Sequence, residues 1–315
     1  MIPILIIISF LIFFLVRLIP GDIIEAMQAT AYSEGELDRA ALEQELGLDA
    51  PLLVQYGRWI GVTPQMDGTV EGILQGSMGL SWWRKMPVVD LLRVSWPVTL
   101  ELGLLSIIIA QIIALPIGVY SALRQDKWGD YIARSFAVFC IAVPSFWLGT
   151  LVILFPSIWW GYMPSIMFIP FAEDPLGNLK MVIVPAIIAG MAMSGMTMRM
   201  TRTMMLEVLR QDYIRTAWAK GLRERVVIMR HALKNALIPV VTIIGIQIPV
   251  LIGGTVIIET IFQLPGMGRL LVNAANQRDN PLITGLTLVF ALALLIINLL
   301  VDLTYGYLDP RVRLE

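Results

Sequence analysis

The sequence predicts an all-α polytopic membrane protein of about six transmembrane helices, and three observations carry that reading. Of 315 residues, 57% are hydrophobic and only 15% charged, with a mean hydropathy of +0.76. A water-facing surface needs more charge than that, so the chain's solvent is largely lipid. Charge-free intervals recur along the chain, each near the ~20 residues with which a helix crosses a bilayer. The basic residues, finally, gather in two connections that a six-span path places on one side of the membrane.

Taken in order, Met1 to Val16 is uncharged and the apolar run continues past Arg17 to Ile19. Residues 1–19 read as a retained first helix. The small-x-small run Ala29-Thr30-Ala31 offers a signal-cleavage alternative, against which stand a missing basic lead and an apolar stretch longer than a usual signal core. Arg17 is expected to snorkel to the headgroups. Residues 20–95 form an extracytoplasmic loop region. Within it Ser33 and Glu36 form a capping-box pair that opens a helix through Leu46, with Gly47 as its stop. Trp82-Trp83-Arg84-Lys85 predicts a return to the membrane interface.

Residues 96–315 supply five further helices. Four follow the uncharged stretches Leu102–Leu123, Met181–Met198, Asn235–Ile258 and Asn280–Val301. Ser135 to Ala172 is also uncharged but long for one crossing, and Pro156, Gly161, Pro164 and Pro170 interrupt its second half. The third helix is therefore expected at Ile132–Phe155, followed by an irregular outer loop with Trp159, Trp160 and Tyr162 at interface depth. Arg124, Lys127 and Arg134 mark the second connection. The fourth, from Arg199 to Lys234, holds a denser run of arginine and lysine opposed only by Glu207, Asp212 and Glu224. Both connections, and with them both termini, are expected in the cytoplasm.

Several function classes lose support at once. A single cysteine, Cys140, lies in an apolar run and reads as a small buried hydrophobe. One histidine, His231, builds no metal cluster, and no HExxH, CxxC or phosphate-loop pattern occurs. The chain is expected to catalyse nothing and to hold no metal or cofactor itself. A net charge of −1 gives no nucleic-acid signal.

The informative stretch is the fourth connection, expected as a cytoplasmic loop at 199–237. Asp212 to Lys220 reads as a short helix without a breaker, and Gly221 can stop it in the left-handed conformation. Thr216, Ala217 and Ala219 are small, which lets another surface approach the backbone closely. Tyr213, Arg215 and Lys220 add an aromatic anchor and charge. A second helical pattern runs from Glu224 to Leu237, and Pro239 marks entry to the next span. Positive-inside topology alone explains the charges but not the small-residue helix or its glycine stop. A small rigid helix of this kind is a lever between a soluble partner and the membrane helices.

These residues resemble the membrane subunits of binding-protein-dependent importers. Arg215-Thr216-Ala217-Trp218-Ala219-Lys220-Gly221 stands where that family carries a Glu-Ala-Ala…Gly pattern. Together with His231-Ala-Leu-Lys-Asn-Ala-Leu-Ile-Pro239 it is similar to the variant of the dipeptide/oligopeptide/nickel branch, in its first-permease, dipeptide-permease-B-like type. Further likeness runs along nearly the whole chain, in Arg17-Leu-Ile-Pro-Gly-Asp22, Gly47-Leu-Asp-Ala-Pro51, Met78-Gly-Leu-Ser81, Pro97-Val-Thr-Leu-Glu101 and Val143-Pro-Ser-Phe-Trp147. It continues in Glu259-Thr-Ile-Phe-Gln-Leu-Pro-Gly-Met-Gly268, Arg278-Asp-Asn-Pro281 and Leu308-Asp-Pro-Arg-Val-Arg313. The resemblance implies an ABC type I importer permease fold in a bacterial or archaeal cytoplasmic membrane. It also implies a second, related permease subunit, two cytoplasmic ATPase subunits that bind ATP and Mg, and an extracytoplasmic substrate-binding protein. Tyr213 to Gly221 would be the helix that couples to an ATPase. Peptide is the expected cargo; nickel chelate, glutathione or another small solute are alternatives within the same machine.

Gln247, Gly253 and Glu259 are candidates for the pore or its outer mouth, with structural pairing the competing role for Glu259. The methionines from Met191 to Met205 read as flexible packing. An ion-coupled secondary transporter is the reading from another class. Such carriers place charge near mid-membrane, whereas Arg17, Glu101, Glu259 and Asp302 all lie near span ends. A membrane scaffold would need no coupling helix.

Overall fold

The computed structural model describes residues 2–18, 23–24, 39–161 and 167–308. All regular structure among them is helical; the one β-type pairing is an isolated bridge between Leu80 and Pro87. The chain forms two compact units. One comprises residues 1–98 and 265–294, the other residues 99–264 and 295–315.

The first unit begins with α1 (Ile2–Arg17), then α2 (Arg39–Glu45) and α3 (Leu52–Ile60). The Ser33–Glu36 start expected for α2 lies outside the described residues, while Gly47 takes the left-handed φ of +68° that its stop requires. Arg17 has partners within the protein. Its Nε donates to Gln55 Oε1 at 3.0 Å and its guanidinium lies 3.5 Å over the Phe13 ring. Gln55 in turn donates to the Ala50 carbonyl at 2.8 Å, which holds the α2–α3 corner.

This unit also contains α11 (Met267–Gln277) and the first half of α12 (Asn280–Leu308), which close over the start of α4 (Val88–Leu123). Ile12, Val16, Val88, Leu92, Met267, Leu282 and Leu286 make its core. Asp279 sits fully buried at the α11–α12 corner. It accepts from Ser81 Oγ at 2.5 Å, from the Trp82 amide at 3.2 Å and from the Leu282 amide at 3.4 Å. Trp83 Nε1 donates to the Gln277 carbonyl at 2.6 Å. The Trp82-Trp83 turn, expected at the membrane interface, is thus fastened to this corner by its own polar groups.

The second unit is organised around α7 (Pro175–Leu209), which packs against α10 (Lys234–Ile261) and α5 (Trp128–Ala142). Small residues bring the backbones together, the device that drives helix association where no hydrophobic force distinguishes lipid from protein. A Cβ on Gly190 would lie 2.5 Å from the Ser106 carbonyl of α4, and one on Gly195 would lie 2.6 Å from the Ala137 carbonyl of α5. One on Gly118 would meet Thr201 at 2.7 Å, so α4 and α7 run parallel in close contact from Ser106/Gly190 to Gly118/Thr201. Cys140, Met193, Met198 and Met205 are buried within this unit, in line with their reading as packing.

Among the described residues four helices are long and apolar enough to cross a membrane, with a fifth if α5 and α6 (Ser145–Trp160) count as one; α1 is a shorter apolar helix. The continuous third helix expected at Ile132–Phe155 is not what forms. The chain breaks at Val143-Pro144 and turns by 94° between α5 and α6. Proline 144 has no amide to continue the ladder and biases Val143 to its observed extended ψ of 120°. Pro156, read as a breaker, sits inside α6, which runs on to Trp160 and ends at left-handed Gly161. Trp159 and Trp160 are therefore helical, and Tyr162 lies outside the described residues. The other helices overrun their charge-free intervals. At 1.5 Å per residue the 36-residue α4 is about 54 Å long, well beyond a hydrocarbon core of ~30 Å.

Candidate functional site

The fourth connection folds into α8 (Asp212–Ala219), a turn at Arg223, a short α9 (Glu224–Val226) and a π-helical segment, Val227–Leu233, that runs directly into α10. Gly221 ends α8 with φ +73°, and its amide bonds the Trp218 carbonyl at 2.9 Å. A Cβ there would meet nothing within 4 Å. Glycine is needed at 221 for the backbone angle, not for space.

The helix has two unlike faces. Ile214 and Ala217 are buried among Met205 of α7, Ala122 of α4 and Val227, Ile228, Ala232 and Ala236 on the way into α10. Tyr213, Arg215, Thr216, Ala219, Lys220 and Gly221 are all exposed. Ala217 was grouped with Thr216 and Ala219 as room for a partner, yet its small size serves the chain's own core. Arg215 pairs with Asp212 at 3.3 Å, an exposed contact worth little. Tyr213 reaches further. Its hydroxyl accepts from Asn235 Nδ2 at 2.8 Å, and the same amide donates to the His231 carbonyl at 3.1 Å inside the π segment. π-helical turns are rare and frequent at functional sites, and this one links the short helix to a membrane span.

Beside this assembly lies a buried ion pair. Asp130, at the start of α5, has no solvent exposure. Arg202 of α7 donates to both of its oxygens, Nε to Oδ1 at 2.7 Å and Nη2 to Oδ2 at 2.6 Å. Ser121 Oγ of α4 adds a bond at 2.6 Å and the Asp126 amide another at 3.0 Å. One carboxylate thus joins three helices near the ends that α8 packs against.

The candidates on α10 lie elsewhere. Asn235 and Glu259 are 24 residues apart on one helix, about 36 Å along its axis. Glu259 is fully buried and accepts from Thr99 Oγ1 at 2.8 Å, the structural pairing weighed above. Gln247 donates to the Ile243 carbonyl of its own helix at 3.1 Å. Gly253 is exposed with open space where a Cβ would point.

Reading the residues missed four participants. Ile214 was legible, being the one aliphatic side chain larger than alanine on the helix, three residues before Ala217 on the same face. Asn235, Asp130 and Asp279 were not, because their partners lie 22, 72 and 198 residues away on other elements.

Comparison with known proteins decides the family. The family model described as "Binding-protein-dependent transport system inner membrane component" matches residues 114–314, and its N-terminal companion matches residues 1–103. The chain belongs to this family. A relative, the dipeptide transport system permease protein DppB of Escherichia coli (strain K12), is 37% identical over 335 residues, spanning 99% of this chain and 96% of that protein. The oligopeptide transport system permease protein AppB of Bacillus subtilis (strain 168) is 39% identical, with 99% and 96% covered. Among solved structures, an inward-facing MetNI methionine ABC transporter aligns with TM-score 0.56 at 15% identity, over 70% of this chain and 96% of that one. That likeness establishes the ABC type I importer permease fold. As a family member with several membrane-crossing helices, the chain is a multi-pass inner membrane component.

Proposed function

We propose that this chain is a pore-forming permease subunit of an ATP-binding-cassette importer that carries di- or oligopeptides across the cytoplasmic membrane of a bacterium or archaeon. The observation that carries the proposal is the two-faced α8. Its inner face, Ile214 and Ala217, is anchored on α7 and on the entry to α10. Its outer residues Tyr213, Arg215, Thr216, Ala219 and Lys220 are exposed, where a cleft on an ATPase subunit can receive them. Peptide cargo is supported by the names of the relatives, which span the same length.

In this reading the chain performs no chemistry. Two cytoplasmic ATPase subunits bind ATP and Mg, a second related permease completes the pore, and an external binding protein delivers substrate. Closure of the ATPases displaces α8. Because α8 packs on Met205 and on the Val227–Ala236 stretch, one push acts on α7 and α10 together. The pore swings from inward-facing to outward-facing, and hydrolysis resets it. Both termini and the 199–237 loop lie in the cytoplasm, and Gln247, Gly253 and Glu259 lie toward the outer mouth.

Affinity purification of the full chain from its native membrane tests the reading. ATPase subunits and a second permease are expected to co-purify. A chain that purifies alone and moves peptide under a proton gradient would instead be a secondary transporter. The ligand retained by the co-purifying binding protein identifies the cargo.

A further inference from the structure

The turn between α4 and α5 leaves a cleft of about 780 Å³ lined by Tyr120, Arg124, Asp126, Lys127, Trp128 and Tyr131. The Asp130–Arg202 pair lies beneath it and is already neutralised. Arg124 and Lys127 are exposed, and among the described residues their side chains make no ion pair or hydrogen bond. Asp126 is the one carboxylate on the lining, and it accepts from the Gln125 amide at 3.2 Å. A further cation, Arg134, lies 5.8 Å from the Tyr131 ring. The cleft is therefore cationic with an aromatic rim. Gly129 contributes to that shape, since a Cβ there would meet the Tyr120 hydroxyl at 2.6 Å.

The surface beside the cleft is apolar. Trp128 is 83% exposed, and Ile132, Phe136 and Phe139 follow it at helical spacing down the same side of α5, all exposed. A charged cleft thus opens directly onto an apolar track. Of the anions that two free cations attract, a phospholipid alone matches both parts, with its phosphate in the cleft and its acyl chains along the track.

We propose that this cleft is a binding site for an anionic phospholipid, with Arg124 and Lys127 holding the headgroup phosphate and Trp128 marking the interface. Lys and Arg place their charge at headgroup depth with their stems along apolar surface, and Trp favours the same depth. No residue of α8 lines the cleft, and the site would exist whatever the chain carries.

The test uses the full chain purified in detergent, followed by native mass spectrometry. It is titrated with phosphatidylglycerol and with phosphatidylcholine of equal chain length, and then with inorganic phosphate as competitor. Wild type is expected to retain phosphatidylglycerol at least tenfold better than phosphatidylcholine. The double variant Arg124→Gln/Lys127→Gln should lose that preference, and Asp126→Asn should increase it. Equal retention of the two lipids, or a preference that survives in the double variant, overturns the proposal. Displacement of the lipid by inorganic phosphate at equal concentration assigns the cleft to a free phosphate ion and likewise overturns it. All three positions are exposed, so loss of binding cannot be mistaken for loss of fold if the variants keep the wild-type melting temperature.

Discussion

Arg202 grips Asp130 with both arms of its guanidinium, at 2.7 and 2.6 Å, from a helix that starts 47 residues after Asp130's own begins. The carboxylate is fully buried and the arginine largely so. Breaking such a pair from one side strands a buried charge, which costs ~3–5 kcal/mol. Asp130→Asn and Arg202→Met are each expected to destabilise the purified chain by that order in thermal unfolding. The double variant should be less damaged than the sum of the two, because neither charge is left alone. Additive losses would show that the two groups do not act as a pair.

At Gly221 the expected effect is on coupling. Gly221→Val forces a β-branched residue into a left-handed angle, a local strain of ~1–2 kcal/mol. Membrane insertion should be normal and ATP-driven uptake lost. Gly221→Asn, which tolerates that angle better, should retain much of it. Normal uptake in the valine variant sinks the role assigned to α8.

The two faces of α8 should separate by kind of defect. Ile214→Ala removes a fully buried side chain from the cluster with Met205 and Val227, at ~2–5 kcal/mol. Tyr213→Phe removes one partly exposed hydrogen bond to Asn235, worth ~1 kcal/mol. Thermal unfolding should rank them in that order. A Tyr213→Phe variant as unstable as Ile214→Ala would mean that Tyr213 packs rather than links.

Limited proteolysis checks the Asp279 corner. Asp279→Ala strips the acceptor from Ser81 Oγ and the Trp82 amide together, whereas Ser81→Ala removes a single donor. Cleavage within residues 61–87 should accelerate strongly in the first variant and slightly in the second.

How far these relationships were legible follows from distance along the chain. Charge-free intervals marked the four long apolar helices, α4, α7, α10 and α12, because lipid exposure acts on each residue separately. The stop at Gly221 was visible for a similar reason, since a left-handed angle is a demand on one position. Helix ends were less visible. α4 begins at Val88 despite Asp90, Arg93 and Glu101, because charged residues extend a helix into water without breaking its ladder. Pro144 and Pro156 show the limit of composition. The first breaks the helix and the second does not, though both are proline in an uncharged run. No local feature announced the bond from Arg17 to Gln55, 38 residues on.

The turn at Ser81 has a consequence for the order in which the protein is made. Asp279, the acceptor that fastens it, is 198 residues further along the chain. At ~5–20 residues per second a ribosome needs roughly 10–40 s to cover that interval. The stretch around Trp82 and Trp83 therefore leaves the ribosome, and waits, without the carboxylate that will satisfy it. The first unit joins residues 1–98 to residues 265–294, so it closes only after the whole second-unit stretch between them has been made. A chain truncated before Asp279 would hold every part of the Ser81–Trp83 turn and lack the carboxylate that fastens it.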